Sequence, residues 1–332
     1  MGASLKGLRM VKAVVVHTPG GPESMVLEDV SVGDPGPGQV RVRNRAIGLN
    51  FIDTYFRAGA YKAETPFVLG NEAAGEIVAV GPGVTGFAAG DRIGYTSTLG
   101  CYAQERLLDT KFAVKLPDAI SFQTAAGMML KGLTAQYLLR RTFVVKAGDT
   151  VLVHAAAGGV GQILCQWGNA LGATVIGTAG SREKAEIAKA AGAHHVILYS
   201  EENFVDRVKE ITGGKLCDIV YDGVGKATFA GSLDCIRPLG LFVSYGSASG
   251  QIDAFNIGLL MQKGSLFATR PTLYTYIAKR EDLDAMAAEL FEVVASGKVK
   301  IAVNHVFPLD QVVQAHQLLE NRGTTGSTVL IP

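Results

Sequence analysis

A glycine-rich turn lies where the apolar run at residues 151–153 gives way to a helical pattern. The turn reads AAAGGVG over residues 155–161. Gly158 would let the backbone approach a pyrophosphate, whose charge is met by free N–H groups and the helix dipole. Gly161 would allow close helix–strand packing, while Ala156 replaces the first glycine of the usual G-x-G-x-x-G pattern. Such a turn can serve packing alone, but between a strand and a helix it predicts a dinucleotide-binding site.

The end of the next predicted strand indicates which dinucleotide would bind. NAD-binding sites usually place an acidic residue there, which holds the ribose 2′-hydroxyl. This sequence instead has Ser181 and Lys184 after Thr178, and both side chains can donate hydrogen bonds to a 2′-phosphate. Ser181 could also be only an N-cap, and Lys184 only a solvated surface charge. The pattern favours NADPH over NADH.

Strand and helix signals alternate from Thr150 onward. The predicted strands lie at residues 151–153, 174–178, 195–199, 218–221, 241–245 and 265–269. The helices predicted between them lie at residues 181–191, 202–211 and 228–235. Continuous apolar runs are typical of strands buried on both faces. The alternation predicts right-handed βαβ crossovers in a doubly wound parallel sheet, and therefore an α/β fold.

The chain from Lys12 to about Lys131 has a different pattern. Short apolar or alternating runs are broken by glycine and proline, as at residues 39–43, where apolar and basic side chains alternate. This pattern predicts a β-rich domain with small helical pieces. We expect the residues before Lys12 to form a flexible leader.

The C-terminal part combines both patterns. Helix signals occur at residues 281–295 and 310–319, and strand-like runs occur at residues 301–307 and 328–331. We expect these last strands to return to the first domain, which would make that domain discontinuous.

Composition excludes several classes of function. The chain has 332 residues, of which 48% are hydrophobic and 18% charged, so a large core is available. Its 31 Lys and Arg balance 30 Asp and Glu, which gives no electrostatic signature for nucleic acid or an anionic membrane. The four cysteines form no C-x-x-C pair, and no apolar run is long enough for a signal peptide. We expect a cytoplasmic protein with reduced thiols.

Taken together, several segments resemble the zinc-free, zeta-crystallin-like quinone oxidoreductases of the medium-chain dehydrogenase/reductase superfamily. The resemblance extends from Lys12 to Pro332. The segments that carry it are AIGLNFID at residues 46–53, GNEAAG at 70–75, KGLT at 131–134, HAAAGGVG at 154–161 and QKGSL at 262–266.

The resemblance implies an α/β architecture in two parts. A GroES-like, β-rich catalytic domain would comprise residues 1–132 and 272–332. A Rossmann domain with a doubly wound parallel sheet would comprise residues 133–271 and bind NADPH. The family also implies a homodimer, and we expect it to form through the edge strand near residues 265–269.

Carried over residue by residue, the family's NADPH contacts can be assigned in this sequence. They are Asn50, Thr134, Gly158, Gly159, Val160, Ser181, Lys184, Tyr199, Tyr245, Gly246, Ser247 and Arg322. Among these, Lys184, Tyr199 and Arg322 would hold the 2′-phosphate, in agreement with the charge pattern. Ser181 replaces the threonine of other members and keeps the hydroxyl.

The same resemblance implies that no zinc is bound. Alcohol dehydrogenases of the superfamily hold a catalytic zinc with a Cys, a His and a further Cys or acid. This sequence has Asn50 at the Cys position and Asn71 at the His position, and neutral amides are poor zinc ligands. Cys101 is isolated, so we interpret it as a buried apolar residue, and His154 as a hydrogen-bonded structural residue.

Without a metal, the acceptor must take hydride readily by itself. Quinones do so, because reduction restores aromaticity. Catalysis then needs mainly proximity between nicotinamide C4 and the acceptor. We expect Asn50 to orient the nicotinamide or to donate to the acceptor carbonyl. Tyr55 and Tyr61 are candidate wall residues or proton donors, although aromatic packing or proton delivery from solvent would fit equally well.

Two other functions stay open at the level of sequence. The first is an NADPH-dependent enone or enoyl reductase with the same fold, because the acceptor pocket would have the same apolar composition. The second is a nucleotide- or RNA-binding protein with little turnover, which the balanced charge disfavours.

Overall fold

The computed structural model describes residues 8–332, and the leader predicted before Lys12 falls mainly outside these described residues. The chain forms two compact units. The first unit comprises the residues up to Leu130 together with Ile301–Pro332, and the second unit comprises Lys131–Lys300.

The strands alternate with loops in the first unit and with helices in the second. In chain order they are β1 (Arg9–Val16), β2 (Met25–Val32), β3 (Gln39–Leu49), β4 (Phe67–Val68), β5 (Glu72–Val80), β6 (Arg92–Thr96), β7 (Glu105–Asp109), β8 (Ala113–Lys115), β9 (Thr150–Val153), β10 (Thr174–Ala179), β11 (His195–Leu198), β12 (Cys217–Asp222), β13 (Ile236–Ser244), β14 (Phe267–Thr269), β15 (Val303–Pro308) and β16 (Ser327–Ile331).

Most α-helices lie in the second unit. In chain order they are α1 (Phe51–Arg57), α2 (Phe122–Ala126), α3 (Met129–Tyr137), α4 (Gly159–Ala170), α5 (Arg182–Ala190), α6 (Phe204–Ile211), α7 (Phe229–Asp234), α8 (Gly258–Gln262), α9 (Leu273–Tyr276), α10 (Arg280–Ala295) and α11 (Val312–Glu320). Among the described residues, no helix is long and apolar enough to cross a membrane.

The first unit is built on two sheets. One has the order β2-β1-β4, and the larger has the order β15-β16-β3-β5-β6-β8, with β7 also paired to β3. β16 pairs antiparallel with β3, so a strand from the end of the chain joins strands from its beginning. Alternate side chains of these strands, including Ile47, Ile77 and Leu330, form the core.

The second unit contains a six-stranded sheet of order β11-β10-β9-β12-β13-β14. All neighbouring strands are parallel. Numbered along the chain, this is the 3-2-1-4-5-6 order of the Rossmann fold, so the predicted fold class is confirmed. The order reverses between β9 and β12, and the glycine turn follows β9 at this switch point. Its core includes Leu152, Ile176, Val220 and Phe242.

The second unit extends further along the chain than the predicted boundary at residues 271 and 272. α10 packs on α3, and a Cβ on Gly132 would lie 2.7 Å from the Leu290 side chain. Arg140 Nε also donates to Glu289 at 2.8 Å. These contacts place residues 272–300 in the same compact unit as the parallel sheet.

Element boundaries differ locally from the sequence-based expectations. β1 begins at Arg9 rather than Lys12, and β13 begins at Ile236 rather than at residue 241. α8 was not predicted, because its five residues are too few to show a helical period.

Candidate functional site

The glycine turn opens α4 directly after β9. Ala155 has a left-handed backbone with φ of 52°. Gly158 is the N-cap of α4, and no side chain caps this end of the helix. A Cβ on Gly161 would collide with the Ala155 carbonyl oxygen and lie 2.8 Å from Ala156 Cα. The turn therefore presents uncapped helical N–H groups, an arrangement that binds phosphate.

The departure from the G-x-G-x-x-G pattern has a local explanation. The Ala156 N–H donates to the Thr178 carbonyl oxygen at 3.0 Å, which ties the turn to β10. The Ala156 Cβ occupies the space beside Gly177, where another Cβ would come within 2.8 Å. A methyl group fits at position 156 because residue 177 has none. Gly159 and Val160 are the first two residues of α4.

Three of the residues expected at the 2′-phosphate lie together at the carboxyl ends of β10 and β11. Ser181 is the N-cap of α5, and its Oγ accepts the Lys184 N–H at 3.3 Å. Tyr199 follows β11 and is 47% exposed. A Cβ on Gly180 would collide with the Tyr199 hydroxyl, so this hydroxyl lies directly beside the residue that precedes Ser181.

Arg322 belongs to the first unit. It follows α11, is exposed, and has a left-handed backbone with φ of 58°. The structure thus groups Ser181, Lys184 and Tyr199 in one unit and places Arg322 in the other.

The segment after β13 carries three further predicted cofactor contacts. A Cβ on Gly223 would lie 2.8 Å from the Tyr245 ring, and a Cβ on Gly246 would lie 2.5 Å from the Gly223 carbonyl oxygen. Arg270 Nη2 lies 3.4 Å from Ser247 Oγ. The two segments that follow β12 and β13 therefore pack closely at the carboxyl edge of the sheet.

Thr134 is buried in α3. Its side chain hydrogen-bonds with the Tyr137 hydroxyl, one helical turn further on. Tyr137 in turn stacks on Tyr276, with ring centroids 4.4 Å apart. Burial raises the pKa of the Tyr137 hydroxyl.

A buried aspartate that sequence reasoning missed organises the loop after β12. Asp222 is fully buried. Its Oδ1 accepts the Val224 and Gly225 N–H groups at 2.8 and 2.9 Å. Its Oδ2 accepts the Thr228 and Ser232 hydroxyls at 2.7 and 3.0 Å. The sequence did contain a signal for this role. An aspartate at the end of a strand often accepts the backbone N–H two residues further on, as Asp222 does.

His154 joins this network and is hydrogen-bonded at both nitrogens. Its Nδ1 lies 3.0 Å from Thr178 Oγ1, and its Nε2 lies 2.9 Å from Ser232 Oγ. Burial lowers the pKa of His154, so the ring is neutral. The expectation that this histidine is hydrogen-bonded is confirmed.

In the first unit, Asn50 lies between the end of β3 and the start of α1. Its Nδ2 donates to Glu72 Oε2 at 2.8 Å, and its backbone N–H donates to Asp53 Oδ2 at 2.8 Å. A Cβ on Gly48 would collide with the Glu72 carboxylate, so this glycine makes room for the contact. Glu72 Oε1 also accepts the Leu130 N–H at 2.7 Å. Asn50 is thus held through both its side chain and its backbone.

Asn71 is held by the same aspartate. Its Nδ2 donates to Asp53 Oδ1 at 2.7 Å, and its Oδ1 accepts the Leu99 N–H at 3.4 Å. Both Asn50 and Asn71 therefore donate N–H groups to carboxylates. An amide nitrogen engaged in this way offers no lone pair to a cation, so the donor set does not suit zinc. Within residues 8–332, no three His, Cys, Asp or Glu side chains cluster as metal ligands would.

Tyr55 and Tyr61 lie together beside α1. Their ring centroids are 5.3 Å apart, and the Tyr61 N–H donates to the Tyr55 carbonyl oxygen at 3.0 Å. Tyr61 also lines a cavity of about 430 Å³ together with Phe56 and Phe67. The cavity is within the size range of small-molecule sites and has largely apolar walls.

Cys101 is buried as expected, but it has a polar neighbour. Arg106 Nη1 lies 3.2 Å from its Sγ. Burial raises the pKa of the Cys101 thiol to about 11, so the group is a thiol and not a thiolate.

Two family models match the chain. The model described as "Alcohol dehydrogenase GroES-like domain" matches residues 36–145. The model described as "Zinc-binding dehydrogenase" matches residues 159–292.

Individual proteins match over nearly the full length. A quinone oxidoreductase of Pseudomonas aeruginosa is 52% identical over 97% of this chain and 100% of its own. A 2-haloacrylate reductase of a Burkholderia species is 49% identical over 97% of this chain and 99% of its own. The crystal structure of Escherichia coli quinone oxidoreductase complexed with NADPH superimposes with a TM-score of 0.95 at 48% identity, covering 97% of this chain and 100% of that chain.

Proposed function

The chain belongs to the quinone oxidoreductases of the medium-chain dehydrogenase/reductase superfamily, and we propose that it reduces quinones with NADPH and without zinc. The observation that carries this proposal is the full-length similarity to a quinone oxidoreductase crystallised with NADPH. The geometry of each unit supports a separate part of the proposal.

We propose that the second unit binds NADPH. The uncapped N-terminus of α4 suits the pyrophosphate, and Ser181, Lys184 and Tyr199 suit the 2′-phosphate. The full set of proposed contacts is Asn50, Thr134, Gly158, Gly159, Val160, Ser181, Lys184, Tyr199, Tyr245, Gly246, Ser247 and Arg322. Arg322 would supply a second cation for the 2′-phosphate.

In the first unit, we propose that Asn50, Tyr55 and Tyr61 are the catalytic residues. NADPH, when bound, supplies a hydride, and the quinone takes this hydride and one proton to become a hydroquinone. Asn50 has an amide fixed by Glu72, which suits it to orient the nicotinamide or to donate to the acceptor carbonyl. Tyr55 and Tyr61 have adjacent rings, which suit them to form a wall for the acceptor or to provide its proton.

We propose that the reaction is independent of zinc, and the chemistry of Asn50 and Asn71 supports this proposal. These two positions have neutral amides instead of a thiolate and an imidazole, which are the usual zinc ligands. Both amides also donate to buried carboxylates. Because a quinone accepts hydride without a Lewis acid, the reaction does not need one.

A panel of acceptors tests the proposed reaction. NADPH oxidation is followed with p-benzoquinone, a naphthoquinone and a simple enone, and each is repeated with NADH. We expect turnover with both quinones and a preference for NADPH. NADPH binding without quinone turnover would contradict the proposed reaction while leaving the cofactor assignment in place.

Reduction of a conjugated alkene is the second candidate function. It is favoured by the 49% identity to the 2-haloacrylate reductase, since a haloacrylate is a conjugated alkene. Faster turnover with an enone or 2-chloroacrylate than with any quinone in the same panel would establish this alternative.

We also propose that the protein is a homodimer formed through β14. β14 is an edge strand of the parallel sheet, and Phe267 on this strand is 62% exposed. Leu239 and Met261 nearby are 63% and 71% exposed. An exposed strand edge with apolar side chains suits pairing with a second copy.

Sedimentation velocity tests the dimer. Phe267→Asp should yield monomers. Met10→Asp is the matched control and should stay dimeric, because Met10 is 63% exposed but does not lie on β14. A monomeric wild-type protein, or a Phe267→Asp variant that stays dimeric, would contradict this interface.

We propose a cytoplasmic location, which the four free, buried cysteines support. Recovery of the native protein from the cytosolic fraction with all four thiols reduced is the expected result.

A further inference from the structure

A line of buried polar side chains joins α1 to α11 in the first unit. Tyr102 Oη donates to Asp53 Oδ2 at 2.8 Å and lies 3.2 Å from His316 Nε2. Arg57 Nη1 lies 3.0 Å from His316 Nδ1. Arg57 also donates to both carboxylate oxygens of Glu320, at 3.0 and 2.6 Å.

The spacing of these residues explains why they meet. Asp53 and Arg57 are four residues apart on α1, and His316 and Glu320 are four residues apart on α11, so each pair shares one helical face. Tyr102 reaches Asp53 from the loop that follows β6. Each helix thus presents one acidic and one nitrogen-bearing side chain to the other.

Nearly the whole line is removed from water. Asp53, Tyr102 and His316 are fully buried, and Arg57 is 2% exposed. Only Glu320 reaches solvent, with 34% of its side chain exposed. A buried carboxylate is costly unless donors and a counter-charge accompany it, so the complete set has to be present together.

The direction of every hydrogen bond in the line follows from the chemistry of its members. A guanidinium only donates, so His316 Nδ1 accepts from Arg57 and carries no proton. The proton of the neutral imidazole then lies on Nε2 and points to Tyr102 Oη. The Tyr102 proton is in turn donated to Asp53. Each hydrogen bond between Arg57 and Asp53 is therefore donated in the same direction, towards the aspartate.

The surroundings keep these protonation states fixed. Burial and the Arg57 charge lower the pKa of His316 to about 3, so the ring is neutral over the working pH range. Burial and the charge of Asp53 raise the pKa of Tyr102, so its hydroxyl keeps its proton.

The far end of the line reaches Asn50, one of the residues proposed for catalysis. Asp53 Oδ2 also accepts the Asn50 N–H at 2.8 Å, and Asp53 Oδ1 accepts Asn71 Nδ2 at 2.7 Å. Asp53 is therefore an acceptor for three separate groups. Its position decides where α1 begins, and hence where Asn50 is held.

We infer that Tyr102, His316 and Arg57 are positioning residues of the catalytic site, which act through Asp53 to hold Asn50 and Asn71 in one orientation. This inference rests on the proposed function, because that function gives Asn50 its role. Arg57 keeps its proton at any working pH, so the line does not carry protons to solvent. Its effect on the reaction is on geometry.

The central test replaces the hydroxyl in the middle of the line. Tyr102→Phe keeps the ring and removes the donor to Asp53. We expect kcat for quinone reduction to fall about tenfold, with the KM for NADPH changed less than about twofold, because partners that orient catalytic residues typically matter by 10–100-fold.

Tyr95→Phe is the matched control. Tyr95 is also fully buried in the first unit, and its hydroxyl donates to Asn44 Oδ1 at 2.6 Å, away from Asp53. Tyr102→Phe loses two buried hydrogen bonds and Tyr95→Phe loses one, so Tyr102→Phe should unfold at the lower urea concentration. The kcat values are compared under conditions in which both variants are fully folded. Equal kcat values for Tyr102→Phe and Tyr95→Phe would overturn the inference.

A second pair of variants asks whether hydrogen bonding or packing at position 316 matters. His316→Gln retains an N–H and a carbonyl oxygen, whereas His316→Leu retains neither. We expect His316→Gln to recover several-fold more kcat than His316→Leu. Equal kcat values in the two folded variants would show that residue 316 only fills space and would overturn the inference.

Nitrogen-15 spectra of the histidine rings test the donor direction in the wild-type protein, independently of turnover. The resonances of His316 are identified by their absence from the His316→Gln spectrum. We expect a neutral ring protonated at Nε2 between pH 5 and 8. A ring protonated at Nδ1, or at both nitrogens, would overturn the inference. Absence of quinone turnover by the wild-type protein would instead contradict the proposed function.

Discussion

The two units each bury one aspartate completely, and they stabilise it in different ways. Asp53 in the first unit lies at the end of a line of side chains that starts at the Arg57 guanidinium. Asp222 in the second unit accepts two backbone N–H groups and two hydroxyls. The direct donors to both carboxylates are neutral groups. The network of Asp53 continues to a buried guanidinium, whereas that of Asp222 continues to a neutral histidine, His154.

The difference is also one of distance along the chain. The direct partners of Asp222 lie within ten residues of it, from Val224 to Ser232. The line that serves Asp53 joins Arg57 to His316, 259 residues away. Local structure alone can therefore form the Asp222 network. The Asp53 network forms only when α11 has packed against α1.

The largest effect is expected from removal of the buried positive charge. Arg57→Met removes a buried guanidinium that donates to both carboxylate oxygens of Glu320 and to His316 Nδ1. We expect a loss of about 3–5 kcal/mol, because several hydrogen bonds to a charged group are lost together, each contributing roughly 1.5–3 kcal/mol. Urea unfolding measures this loss of stability.

Arg45→Met provides the control, because the Arg45–Glu76 pair is 45% and 34% exposed and should contribute at most about 1 kcal/mol. A loss as small for Arg57→Met as for Arg45→Met would contradict the importance of the buried charge.

The same isosteric change at the two aspartates should have unequal costs. In Asp222→Asn, the new NH₂ group can face the Thr228 and Ser232 hydroxyls, which rotate to accept it, so we expect a loss of about 1 kcal/mol. In Asp53→Asn, the NH₂ group would face an N–H donor whichever of the two carboxylate oxygens it replaces. We therefore expect a loss of stability of about 2–3 kcal/mol.

Urea midpoints of the two variants give the comparison. Equal destabilisation of Asp53→Asn and Asp222→Asn would show that the two networks do not differ as described.

The cofactor site of the second unit should respond to loss of a single charge. Lys184→Ala is expected to lower kcat/KM for NADPH about 10–100-fold, because a charge-assisted hydrogen bond contributes roughly 1.5–3 kcal/mol. The value for NADH should change little, since NADH has no 2′-phosphate. A similar loss for both cofactors would remove Lys184 from the 2′-phosphate site.

The pH dependence of stability should reveal the buried histidine of the first unit. His316 has a pKa of about 3 when folded and an ordinary value near 6.5 when unfolded. Between these values the unfolded state binds the extra proton, so stability falls as the pH is lowered, by at most about 1.4 kcal/mol per unit. Burial lowers the pKa of His154 and acts with the same sign.

Urea unfolding at pH 7 and pH 5 measures this effect. His316→Gln should lose less stability than the wild-type protein over this interval. An identical loss in both proteins would show that His316 does not titrate in the way described.

The features predicted correctly from the sequence are mainly local ones. The glycine turn at residues 155–161, the alternation of strands and helices, and the parallel sheet that follows from them all depend on neighbouring residues. The resemblance to the quinone oxidoreductases, which is confirmed, depends on short segments of the same kind.

The features missed depend on contacts between distant residues. Asn50 was singled out, but nothing in the sequence pairs it with Glu72, or pairs Tyr102 with His316. The four-residue spacing of Asp53 and Arg57 was visible, yet it does not identify the helix they face. Similarly, the apolar pattern of α10 predicts a helix but not the unit on which it packs.

The most direct test of the central claim is NADPH oxidation by p-benzoquinone after exhaustive treatment with a metal chelator. We predict undiminished turnover that is faster with NADPH than with NADH, because neutral amides occupy the positions of zinc ligands and Ser181, Lys184 and Tyr199 suit the 2′-phosphate. Loss of turnover on chelation and its recovery on addition of zinc would contradict the account.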